Sequence, residues 1–127
     1  MAVSPEEWFK QAYYDAETAE YMFQGGRHFY AVFIAHLAVE KSLKGILHKR
    51  SGITPTHENH DLIALSEQVG LIPPEHLKRF FIKLNEAYML YDDPVTIEEM
   101  ASMYPGEVVS EVIKDTRESI KWIQEAL

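Results

Sequence analysis

His36, Glu40 and Lys44 stand four residues apart within "HLAVEKSLKGIL", residues 36–47. On a helix each lies about 40° round from the one before, so the three form a row. An imidazole, a carboxylate and an ammonium in one row can pass protons, pair as ions or hold a phosphate. The same side carries Phe29, Val32, Leu43 and Leu47. Charge beside large apolar residues is costly unless it is paired, so the row needs a reason. Two readings fit the residues. One is a Glu–Lys i,i+4 pair at the edge of the core, with His36 packed as an aromatic. The other is a polar wall lining a cleft or a dimer seam.

Other residues offer further chemistry. Lys41, Lys44, His48, Lys49 and Arg50 crowd the second half of the same helix. Lys49 and Arg50 suit a helix C-terminus, where the macrodipole favours cations. Lys41 and Lys44 lie further in and could bind a phosphate. Lys78, Arg79 and Lys83 read as a solvated face. "THENHD", residues 56–61, sets His57 and His60 three apart beside Glu58 and Asp61. That spacing is not His-Glu-x-x-His, and the stretch opens a helix, so no metal site is expected. Asp61 serves better there as a cap for free backbone amides. No glycine-rich phosphate loop and no Gly-x-Ser-x-Gly elbow occurs, and no cofactor is expected. The aromatics sit at core spacing and do not form a base-stacking platform.

These residues must be positioned by helices. Ser4, Pro5 and Glu7 form a helix start with a capping box, and apolar residues at helical spacing run to "GG" at 25–26. The spacing predicts a helix over 4–24. A second helix, about 29–49, is apolar on most sides, which marks the centre of a bundle. Its small residues, Ala31, Ala35, Ala38, Ser42 and Gly45, let another helix approach closely, within the fold or across a dimer. "HDLIALSEQVG" predicts a short helix capped at His60 or Asp61 and ended by Gly70. The next helix starts at Pro74 and buries Leu77, Phe80, Phe81, Leu84, Tyr88 and Tyr91, with "DDP" at 92–94 breaking it. "TIEE" at 96–99 is a second capping box that opens one or two turns before "YPG". The last helix, about 106–126, buries Val109, Val112, Ile113, Thr116, Ile120 and Ile123. The expected architecture is all-α, an up-and-down bundle of four to five helices forming one domain over residues 1–127.

Composition narrows the function classes. The chain has 127 residues, 46% of them hydrophobic, with no cysteine. Thiol chemistry, disulfides and Cys-based zinc sites are therefore excluded. No apolar run approaches the roughly 20 residues of a membrane span, and "MAVSPEEWFK" lacks the regions of a signal peptide. A cytoplasmic protein with no membrane association is expected. A net charge of −8 argues against a non-specific nucleic-acid coat. DNA is not an expected partner, though a local basic site is compatible.

"GRHFYAVFIAHLAVEKSLKGIL", "TPTHENHDL", a Tyr…Pro segment and the final "IKWIQEAL" together resemble the HEPN domain family. The likeness covers nearly the whole chain. Its most specific part is "AVEKSLKGIL" followed downstream by His60-Asp61-Leu62. The resemblance implies a small all-helical domain that forms homodimers and binds nucleotides or RNA. It also implies a two-gene toxin–antitoxin-type system with a minimal nucleotidyltransferase partner. On this reading the nucleotide- or RNA-binding residues are His36, Glu40, Lys41, Lys44, His60, Asp61 and Tyr88.

Many relatives are metal-independent endoribonucleases with an Arg-x4-6-His motif on a late helix. There an arginine steadies the scissile phosphate and a histidine moves protons. This chain departs from that pattern. Arg50 and His57 have six residues between them but belong to the loop after the second helix, and neither Arg79 nor Arg117 is followed by a suitable histidine. Where many relatives carry Tyr-x3-Arg-Tyr-Pro, this chain has Tyr88, Asp92, Asp93 and Pro94. The alternatives to a binding module are an endoribonuclease using His36 or His60 with Lys44, and a purely structural dimer that docks another protein.

Overall fold

The structure, a computed structural model, describes residues 3–55, 59–90 and 95–127. His57, Glu58, Tyr91, Asp92, Asp93 and Pro94 lie outside the described residues. Six helices are present among the described residues: α1 Pro5–Gln24, α2 His28–Ser51, α3 Leu62–Gln68, α4 Glu75–Leu90, α5 Ile97–Met103 and α6 Gly106–Gln124. No strand occurs among the described residues. The four long helices form the bundle, and α3 and α5 are short additions in the connections between them.

The boundaries follow local chemistry. Ser4 caps α1 by accepting from the Glu7 amide at 3.1 Å. Thr96 caps α5 the same way, accepting from Glu99 at 3.0 Å. Gly26, at φ 79°, ends α1: its amide bonds to Phe23 and that of Arg27 to Met22, the six-to-one closure of a Schellman motif. Gly70, at φ 75°, ends α3 likewise. Arg50 lies in the last turn of α2, not in the loop that follows it. Its guanidinium donates to the carbonyls of Val69 and Ala126, tying the end of α2 to the end of α3 and to the C-terminus.

Helix α2 is the core element, packing against all five others. It buries residues on nearly every side, from Phe29 to Ile46. Its small-residue stripe is fully buried inside the fold, with Ala31, Ala35 and Ala38 at 0% exposure. A Cβ on Gly45 would stand 2.9 Å from the Phe9 ring and 3.1 Å from Cβ of Trp8, so α1 occupies that groove. The stripe is therefore a seam within the chain, not a face offered to a second copy. Helix α4 buries Leu77, Phe80, Phe81, Leu84 and Ala87, and leaves Tyr88 half-buried against α2. Helix α6 buries Val109, Val112, Thr116, Ser119, Ile120 and Ile123, while Ile113 is only partly covered. No helix among the described residues is long and apolar enough to cross a membrane.

Candidate functional site

Glu40 is the centre of a polar cluster inside the bundle. It is 5% exposed, Lys44 3% and His36 0%. Oε2 accepts from Nζ of Lys44 at 2.8 Å. Oε1 accepts from Nδ1 of His60 at 2.9 Å. The row on α2 is thus a buried ion pair with an imidazole on the second oxygen. Removing one member of such a pair strands a buried charge, at a cost of about 3–5 kcal/mol.

His36 faces the same carboxylate. Its Nε2 lies 2.8 Å from the backbone carbonyl of His60, and its Nδ1 lies 3.6 Å from Oε1 of Glu40. The first is a hydrogen bond and fixes the tautomer, because a carbonyl can only accept. The second is too long to be one, and Nδ1 has no hydrogen-bond partner among the described residues. Burial pushes His36 below the ordinary histidine range, against the opposing pull of Glu40, the His60 carbonyl and Asn85.

Tyr88 holds the two imidazoles from the α4 side. Its ring stacks on His36 and on His60, at 4.6 Å between centroids in each case, and on Phe33 at 5.4 Å. Asn85, one turn earlier on α4, accepts from the amide of Leu62 at 3.1 Å and donates to Asp61 at 2.9 Å. Asp61 in turn caps α3, accepting from the amides of Ile63 and Ala64. Asn85 therefore fixes the segment that delivers His60. Sequence reasoning missed Asn85 and Phe33. The signal was there: each lies three residues before a chosen site residue, on the same helical face.

Six of the seven residues chosen from the sequence come together or adjoin: His36, Glu40, Lys44, His60 and Tyr88 in the cluster, and Asp61 beside it as a cap. Lys41 does not join them. It points to α1, where its Nζ lies 2.8 Å from Oδ2 of Asp15. Lys78, Arg79 and Lys83 are exposed, with Arg79 beside Glu75. A cleft of about 440 Å³ opens next to Lys44, between the C-terminal half of α2, the connection after it and α3. Leu47, Ile53, Pro55 and Leu65 wall it, and Asn59 and Gln68 add polar edges. No metal-binding group of His, Asp and Glu is found among the described residues.

Known proteins share this arrangement of helices. The archaeal HEPN homologue ST0689 is 24% identical, with 98% of each chain covered and a TM-score of 0.73. TT1696 from Thermus thermophilus is 22% identical, with 97% of this chain and 98% of that one covered and a TM-score of 0.79. At these identities the likeness is one of fold. No curated protein matches. The HEPN domain matches residues 5–126, from the first turn of α1 to the penultimate residue. The chain belongs to the HEPN domain family.

Proposed function

We propose that this chain is a HEPN-type module that binds a nucleotide or a stretch of RNA at the Glu40 cluster. It does so as a homodimer and with a minimal nucleotidyltransferase as partner in a two-gene toxin–antitoxin-type system. The observation that carries the binding reading is the buried Glu40 carboxylate, with Lys44 on one oxygen and His60 on the other. An ion pair is expensive to bury, and an apolar pair of similar volume often serves stability as well. Its use is as a preset array of donors beside a cleft of about 440 Å³. Of the cluster, Lys44 lines that cleft and supplies a cation for phosphate.

Thermal-shift and binding measurements at low salt test it. ATP or short RNA should raise the melting temperature of the intact chain and not that of Lys44→Met, provided the variant folds. Absence of any shift or binding with both ligands removes the reading.

One observation favours a second reading, metal-independent RNA cleavage. The bond from Nδ1 of His60 to Glu40 orients that ring and leaves Nε2 for proton transfer, as a carboxylate does for a catalytic histidine. Incubation with total tRNA and a chelator, with and without the neighbouring gene product, separates the two. Cleavage that disappears in His60→Ala supports the nuclease. Binding with intact RNA supports the module.

A further inference from the structure

His36 is satisfied at one ring nitrogen and frustrated at the other. Nε2 must carry its hydrogen, because it meets a carbonyl oxygen at 2.8 Å. In a neutral ring Nδ1 then holds a lone pair. That atom is buried, has no hydrogen-bond partner among the described residues and faces Oε1 of Glu40 at 3.6 Å. A lone pair against a carboxylate oxygen is repulsive. With a proton on Nδ1 the same two atoms become a charge-assisted donor and acceptor, and closing to hydrogen-bond distance takes under about 1 Å. Oε1 has capacity for it, since His60 uses only one of its lone pairs. The hydrogen-bonding geometry therefore suits an imidazolium, and burial is what opposes the charge.

Among the described residues, the groups facing His36 are few. Its own helix presents Glu40, with Lys44 on that residue's other oxygen. The segment before α3 presents His60, with Asp61 held one step away through Asn85. Helix α4 presents the Tyr88 ring and Asn85. Glu40 and Lys44 cancel each other's charge. A proton on His36 would leave this part of the cluster with one net positive charge.

We propose that the site takes up one proton, on Nδ1 of His36, when a phosphate-bearing ligand binds beside Lys44 and His60. This rests on the binding reading above and adds its regulation. The ligand's negative charge favours the imidazolium, because an opposite charge nearby stabilises the charged form of a titrating group. The proton comes from solution: one N–H bond forms on Nδ1 as one bond to hydrogen breaks in a hydronium ion or a buffer acid. By linkage the effect is reciprocal, so falling pH strengthens ligand binding.

A short uridylate with hydroxyl ends is the probe, because its phosphodiesters do not titrate near neutrality. Binding to the full chain is followed by calorimetry between about pH 8 and 5, in buffers of different protonation enthalpy. One proton taken up per ligand is expected, with affinity rising by as much as about tenfold per pH unit across the window. The pH slope should flatten in His36→Gln, whatever that variant's affinity at the alkaline end. Nitrogen-15 spectra of the histidine-labelled intact chain give a second readout that needs no variant. Nδ1 of His36 should change from bare to protonated at a higher pH with uridylate than without. Binding with no proton uptake, or an Nδ1 signal that ignores the ligand, overturns this proposal and leaves the binding reading standing. No binding at any pH removes both.

Discussion

At the scale of single residues, the site is decided by which atoms of three side chains meet one carboxylate. Lys44 and His60 each take an oxygen of Glu40, and His36 is left facing it with a nitrogen that has no hydrogen-bond partner among the described residues. That nitrogen has a consequence for stability without any ligand. Burial lowers the proton affinity of His36 in the folded chain relative to its ordinary value of about 6.5 in the unfolded one. A group depressed on folding contributes stability that is fully present above the unfolded value and is lost as pH falls through the folded value. The melting temperature of the intact chain should thus decline on acidification below about pH 6.5, and His36→Gln should decline less. Thermal melts across that window check it. Equal slopes for the two proteins would show that other groups govern the acid response.

At the scale of helices, the cluster exists because α2 is pinned from several directions. Helix α1 fits against the small-residue seam so closely that Gly45 has no space for a side chain beside Phe9 and Trp8. Gly45→Leu should cost about 3 kcal/mol or more through overpacking, read as a lower denaturation midpoint. A variant as stable as the parent would mean that α1 can move away from α2. On the other side, α4 uses Asn85 and Tyr88 to hold the segment carrying His60. Much of this was legible in the chain. Ser4, Thr96 and Asp61 announce their helix starts through side chains that accept from nearby amides. Gly26 and Gly70 mark ends, because the closing residue needs positive φ. Lys41, read together with Lys44 as a residue able to bind a phosphate, does not share the face of Glu40. Neighbours on a helix point about 100° apart, and Asp15 on α1 claims it.

For the whole molecule, charge sets the terms on which any nucleic acid can bind. The chain carries −8 overall, and its cluster offers few cations. Contact with RNA phosphates through Lys44 alone predicts a shallow salt dependence, with a log–log slope of about −0.7 for single strands. Titrations of a short uridylate across salt concentrations measure it. A much steeper slope would reveal a wider basic surface, such as one completed by a second subunit or a partner.

The sequence by itself determined the helices, their caps and the apolar stripes, because these depend on residues within a few positions of one another. It also marked the polar row on α2 and its likeness to the HEPN family. Only the tertiary structure decided what the row meets. Glu40 meets His60 because α3 is capped by Asp61 and that cap is gripped by Asn85 of α4, twenty-four residues along the chain. The small-residue stripe was likewise ambiguous until α1 was seen to fill it. Periodicity tells which face of a helix is buried. Which partner covers that face is fixed by contacts between residues far apart in sequence.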